Sequence, residues 1–254
     1  MLTNYVKRFG YRTYGGNSWS LLTGFEQFIN SSTTIYYLFD WGNGRGVIYN
    51  NQWVYQSYAS LVANSYTAKC VGNFLYISSD TYFYKANTNL NIIQYSSYYG
   101  AGFRAISYDS SSGYFYITSQ GQFYLNVFNM NLARVSVISM SSSYDTYGLL
   151  QYNGLLYVGS CYYLPQNVFV FQSNVLVRSF ILNACSSDCI ASFLVDYTGQ
   201  MIIGCNTQNY LALYDSNGNY QNIKIGTTYN PFVTAVDSQG RFIVATMFEL
   251  QIYY

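Results

Sequence analysis

The chain carries five cysteines and no histidine. Without an imidazole, Ser-His-Asp and Cys-His nucleophiles and histidine-bound metals are excluded, and no phosphate-cradling glycine loop or dinucleotide fingerprint is present. Cys161, Cys185, Cys189 and Cys205 are the one cysteine constellation. They are expected to form two disulfides; reduced thiols and a four-thiolate zinc site are the alternatives. Zinc sites more often show two close cysteine pairs, and only Cys185 with Cys189 qualifies here. Cys70 stands apart, as a small apolar side chain inside a strand.

A second group suits recognition rather than bond-making. Asp40, Trp41, Asp80, Arg104, Gln120, Tyr162, Tyr163 and Asn206 mix aromatic rings with carboxylate, amide and guanidinium groups. Rings supply contact area at low entropic cost, and the polar groups fix orientation, so the set fits a protein, peptide or glycan ligand.

These residues need a frame to bring them together, and a repeat supplies it. Apolar or aromatic pairs begin at Tyr37, Tyr76, Tyr116, Tyr157, Ile202 and Ile243, with gaps of 39, 40, 41, 45 and 41 residues. About 41 residues is the length of a four-stranded propeller blade. Gly72, Gly113, Gly154, Gly199 and Gly240 precede the last five anchors and mark tight hairpins; the first copy has Asn30-Ser31-Ser32 there. Each copy resolves into runs rich in Tyr, Phe, Val and Ile between Gly, Asn, Ser and Asp, the signature of strands.

The expected fold is therefore all-β, a six-bladed β-propeller of four antiparallel strands per blade. One domain spans 1–254, with blades at about 24–61, 66–97, 103–140, 147–182, 190–225 and 231–254. The last copy has three strands, so residues 2–9 are expected to complete it and close the ring. In that ring, the loops between second and third strands share a face with the connections between blades. This places the recognition group on one face and brings the four cysteines together at the junction of blades four and five.

Composition fits such a ring. Half of the residues are apolar, 20% are aromatic and 32 are tyrosines, while only 8% are charged, against roughly 25% in typical soluble domains. Eleven basic residues face ten acidic ones, with no basic run, which disfavours nucleic acid as a partner. No stretch approaches the roughly 18 to 20 apolar residues of a membrane-spanning helix, and the first residues lack the apolar core of an export signal. Paired cysteines would imply an oxidising compartment. Asn30-Ser31-Ser32 has the form of a glycosylation acceptor, although a polar turn explains it equally well. A monomeric ring without cofactor is expected.

Residues 193–218, FLVDYTGQMIIGCNTQNYLALYDSNG, resemble an NHL repeat. VDSQGRFIVA at 236–245 repeats its opening, and YDSSSG at 108–113 is a weaker copy. NHL propellers are mostly binding platforms for proteins, peptides or RNA, so the resemblance implies a binding module. A second resemblance implies an enzyme: Gly24-Phe25-Glu26 is similar to the acidic entry motif of calcium-dependent gluconolactonases, where acidic and amide groups around the tunnel hold a metal that polarises a carbonyl. Glu26 would be its catalytic carboxylate and calcium its cofactor. Asp109, Asp196 and Asp237 fall in turns after first strands and are expected to be turn-formers.

Overall fold

The computed structural model describes residues 7–11, 13–14, 17–18, 22–30, 33–61, 64–97, 102–140, 145–161, 167–185, 190–195, 199–205, 208–227, 229–246 and 248–253. Six four-stranded antiparallel sheets are arranged as the blades of a ring. Blade one comprises Leu22–Ile29, Thr34–Asp40, Arg45–Asn50 and Tyr55–Ser60; blade two Ser65–Val71, Phe74–Ser79, Phe83–Asn87 and Ile92–Tyr95. Blade three is Phe103–Asp109, Tyr114–Ser119, Tyr124–Phe128 and Arg134–Ser139; blade four Asp145–Tyr152, Leu155–Cys161, Asn167–Gln172 and Val175–Ile181. Blade five is Ile190–Val195, Met201–Cys205, Tyr210–Tyr214 and Tyr220–Gly226. Blade six has Pro231–Val236, Phe242–Thr246 and Leu250–Tyr253, and its outer strand is Lys7–Tyr11, which pairs with Leu250–Tyr253.

Closure by an N-terminal strand thus occurs as expected, but with a shifted segment. The strand is Lys7–Tyr11, with Tyr11 opposite Leu250, rather than 2–9; residues 1–6 lie outside the described residues. A two-stranded ribbon, Thr13–Tyr14 with Asn17–Ser18, follows it.

Burial explains why second strands read as continuous apolar runs. They are sandwiched between neighbouring blades and covered on both faces: residues 36–40, 75–79, 115–119, 156–160, 201–205 and 242–246 are buried throughout. Fourth strands form the rim, where Val175, Leu176 and Val177 are exposed. Six apolar clusters fill the gaps between adjacent blades. Tyr37, Phe39, Leu75 and Ile77 join blades one and two, for example, and Tyr76, Phe83, Phe115 and Phe128 join two and three. Edge-on and tilted ring contacts dominate the latter cluster, an arrangement favoured by the aromatic quadrupole.

The hairpins use the expected chemistry. Gly72, Gly113, Gly154, Gly199 and Gly240 all have positive φ, between 58° and 83°. In the first blade Asn30 accepts a hydrogen bond from Thr33 N at 2.7 Å, a polar turn; Ser31 and Ser32 lie outside the described residues. Asp109 accepts from the Ser111 and Ser112 hydroxyls, and Asp237 from the backbone N–H groups of Gln239 and Arg241. Both carboxylates thus serve turns, as expected; Asp196 lies outside the described residues.

The junction where the ring closes is braced by charge as well as by apolar contact. Phe25, Tyr36, Trp53 and Ile243 pack between blades six and one, with Tyr36 and Trp53 stacked at 4.5 Å. Beside them Arg241 Nε donates to Asp237 Oδ2 at 2.6 Å and Arg241 Nη2 donates to Tyr36 Oη at 2.7 Å. Among the described residues no helix is long and apolar enough to cross a membrane.

Candidate functional site

The six innermost strands surround a channel of about 740 Å³, lined by residues from every blade. Each of these strands is irregular near its start: the register with its partner slips between Leu22 and Gly24, Ser65 and Thr67, Phe103 and Ile106, Thr146 and Leu149, Ile190 and Ser192, and Pro231 and Val233. Such bulges bend a strand and re-aim its side chains, here at the end of the channel where the loops between second and third strands lie.

At that mouth a chain of side chains crosses three blades. Trp41 opens a short 3-10 turn, Trp41–Asn43, at the end of the second strand of blade one. Gly44, with φ of 60°, closes the turn by donating its N–H to Trp41 O. The Trp41 ring lies 6.1 Å from that of Tyr66, at the start of blade two. The Arg104 guanidinium, from the first strand of blade three, sits 3.7 Å over the Tyr66 ring, a cation–π geometry. Arg104 Nη1 also donates to Asp80 Oδ1 at 3.0 Å. Asp80 is held from its own blade by Asn64, whose Nδ2 donates to Oδ2 at 3.1 Å. The Arg104 side chain is 8% exposed and that of Asp80 32%, so the guanidinium is fixed and largely covered while its carboxylate partner reaches water. Gln120 lies beside them, exposed, on the channel wall.

Of the residues proposed for the recognition face, Trp41, Asp80, Arg104 and Gln120 meet at this mouth. Asp40 lies beneath it: the side chain is fully buried and accepts from Asn43 Nδ2 at 2.7 Å, so its carboxylate pins the turn that carries Trp41 and presents nothing to a ligand. Tyr162, Tyr163 and Asn206 lie outside the described residues. Sequence reasoning missed Tyr66, Asn64 and Lys69; superimposing the six first strands on the anchors they pair with would have placed Lys69 on the channel, while Tyr66 falls in a bulge that anchor pairing does not reveal.

Deeper in the channel, Glu26 stands midway along the first strand of blade one, opposite Tyr37, rather than at its entry. Its Oε2 accepts from Lys69 Nζ at 3.4 Å. Burial pushes the Glu26 carboxyl above the usual carboxylate range, against the opposing pull of Lys69, while the Glu26 charge raises the Lys69 ammonium. Gly24, from the same motif, has a packing role: a Cβ there would stand 2.3 Å from Tyr66 O and 2.7 Å from Thr67 Cα. Glycine lets the inner strands of blades one and two meet. Calcium takes roughly six to eight oxygen ligands. Glu26 is the single carboxylate among the described lining residues, and it is already paired; this donor set does not fit that ion.

Cys185 and Cys205 form a disulfide, with Cα atoms 5.3 Å apart. It links the connection leaving blade four to the second strand of blade five, at the junction where the four cysteines were expected to meet. Tyr210 donates to Ala184 O, and Ala184 N donates to Tyr214 Oη at 3.0 Å, so the same connection is also held by hydrogen bonds. The Cys161 side chain and Cys189 lie outside the described residues. Cys70 is a free, half-buried thiol whose pKa burial pushes up, consistent with an apolar role.

These features define a six-bladed β-propeller with an open, aromatic-lined channel mouth. No family model matches the chain, and no curated protein matches it in sequence; the NHL resemblance of blades five and six therefore stays one of motif. Solved structures match the whole ring. The WD40 β-propeller domain of Doa1 superimposes with a TM-score of 0.70 at 10% identity, over 95% of this chain and 80% of that one. A chain of the mitotic checkpoint complex gives 0.68 at 12% identity, over 92% and 76%. A gluconolactonase from Xanthomonas campestris gives 0.73 at 12% identity, over 92% and 86%. At such identities the likeness establishes the fold alone.

Proposed function

We propose that this chain is a non-enzymatic binding module whose channel mouth engages a protein, peptide or glycan. The observation that carries the reading is the set of rings and charge across blades one to three: Trp41, Tyr66 and Arg104 in contact, with Asp80 anchoring the guanidinium. An arginine held over a ring and paired with a carboxylate is already ordered before a ligand arrives. Little side-chain entropy is then lost on binding, which favours affinity. Aromatic and arginine side chains are also those that most often dominate binding energy.

Screening the purified protein on peptide and glycan arrays tests this. Trp41→Ala and Tyr66→Ala should each weaken a captured ligand about tenfold or more, equivalent to about 1.4 kcal/mol, with the thermal transition retained. Equal capture by wild type and both folded variants would contradict the reading. The hydrolase alternative is separated by assaying aldonolactone opening with and without calcium: turnover that depends on both calcium and Glu26 would replace the binding module with the enzyme.

A further inference from the structure

The repeat allows the channel wall to be read one blade at a time. The six anchors Tyr37, Tyr76, Tyr116, Tyr157, Ile202 and Ile243 pair directly with Glu26, Lys69, Ser107, Leu150, Leu194 and Ala235. All six partners line the channel, and they occupy equivalent positions on the innermost strands. They therefore form one layer around the channel. That layer is divided: blades one to three contribute a carboxylate, an ammonium and a hydroxyl, while blades four to six contribute two leucines and an alanine. In the remaining lining the charged side chains follow the same division, although Phe25, Ala68, Ala105 and Ile106 are apolar residues of blades one to three and Gln151 is a polar one of blade four. Every charged side chain in it, Glu26, Lys69 and Arg104, belongs to blades one to three, whereas Leu149, Phe193 and Val236 extend the apolar half among the described residues. Leu150, Leu194 and Ala235 are only partly buried and Val236 is 39% exposed. Apolar surface facing a water-filled channel is costly unless something covers it.

Charge on the polar half is matched locally. Lys69 lies against Glu26 and Arg104 against Asp80. An ion entering this confined space would lose hydration without finding an uncommitted counter-charge, whereas hydroxyl or amide groups could exchange hydrogen bonds with the existing pairs. A volume of about 740 Å³ falls within the roughly 300 to 1,000 Å³ of small-molecule sites.

We propose that the channel binds a small amphiphile of zero net charge, its hydrocarbon along blades four to six and its hydrogen-bonding groups along blades one to three. The inference rests on the six-residue layer and not on the ring contacts at the mouth, so the two readings fail separately. Isothermal titration with octyl glucoside below its micelle concentration is the direct test. Octanoate and octylamine serve as charged probes with a comparable tail, and glucose as the headgroup alone.

The expected result is saturable binding of one octyl glucoside per ring, with the other three probes weaker by about tenfold or more. A Leu150→Asn/Leu194→Asn double variant should lose at least as much affinity while retaining its thermal transition. Should that variant not fold, Ala235→Asn alters the same layer alone and carries the same expectation. No saturable heat with octyl glucoside, equal or tighter binding of either charged probe, or unchanged affinity in a folded layer variant would overturn the proposal. The folded layer variant, tested in parallel against the ligand captured on the arrays, keeps the mouth and the channel distinguishable, because the channel proposal expects that capture to survive it.

Discussion

Two arginines, each paired with an aspartate and each set over an aromatic ring, perform different work in this ring. Arg241 and Asp237 lie where blade six meets blade one, with side chains 8% and 0% exposed. Arg241 Nη2 also donates to Tyr36 Oη and to Asn51 O. These contacts cross or brace the closing junction, and both side chains are almost fully enclosed. Arg104 has the same low exposure at the channel mouth, but Asp80 is 32% exposed and Tyr66 and Trp41 continue the contact toward the channel. One pair is enclosed and braces the closing junction; the other is half open at the channel mouth. The clearest difference lies in what surrounds the carboxylate: Asp237 is enclosed, whereas Asp80 reaches water.

The strongest challenge to this contrast is Arg241→Met. It leaves the Asp237 charge buried, and removal of one partner of such a pair costs about 3 to 5 kcal/mol. Chemical denaturation should register a loss of that order; a loss below about 1 kcal/mol would make the closing junction no different from an exposed pair. A second brace is the Cys185–Cys205 disulfide, which closes a segment with a sequence separation of 20. Replacing both cysteines by alanine should cost about 3 kcal/mol on the chain-entropy account, measured by the same denaturation with free thiols counted in parallel. Gly24→Ala should cost about 1 to 3 kcal/mol, as overpacked sites do, because the new methyl meets the backbone of Tyr66 and Thr67. A neutral outcome would show that the inner strands can separate.

The smallest effect is expected at Glu26. Its folded pKa is raised by burial, so the folded state holds that proton more tightly than the unfolded chain. The cost of the buried charge is present above the raised value and is lost as pH falls through it. Lys69 behaves as its complement: its pKa is raised by Glu26, and its contribution is lost only as pH rises through that alkaline value. Glu26→Gln should change stability by less than about 1 kcal/mol and flatten the pH dependence from the raised Glu26 value down to the ordinary carboxylate range, as followed by thermal unfolding against pH. An unchanged pH profile would place the titration elsewhere.

Much of the scaffold could be read directly from the sequence because repetition amplifies weak signals. A single Tyr-Ile pair says little, but six at near-constant spacing define blades, and the incomplete last copy required a strand from elsewhere in the chain. That strand was displaced to Lys7–Tyr11 because closure is decided by register against Leu250–Tyr253, which composition does not encode. Topology brought four cysteines to one junction, but the pairing of Cys185 with Cys205 was not legible from it. The site was less legible. Asp40 ends one second strand and Asp80 follows another, and they look alike in sequence, yet the first is folded beneath its own turn and the second meets Arg104 from the next blade. Tyr66 and Lys69 read as ordinary strand residues; their importance comes from neighbours in other blades. Trp53, Leu90 and Leu132 adopt positive φ, from 59° to 64°, with the side chains buried, a conformation no propensity suggests for bulky residues. Asn50, Asn87 and Asn129 organise those turns by accepting two backbone N–H groups each, and that asparagine was the available signal.

The account stands most directly on Arg104→Met and Arg241→Met compared side by side, for thermal unfolding and for affinity toward a ligand selected on the arrays. Arg104→Met is predicted to unfold within about 4 °C of wild type, as a change near 1 kcal/mol would allow, while losing affinity about tenfold or more; Arg241→Met is predicted to be strongly destabilised. Equal destabilisation of the two variants, or full affinity in Arg104→Met, would contradict the division of the ring into a closed scaffold and an open binding mouth.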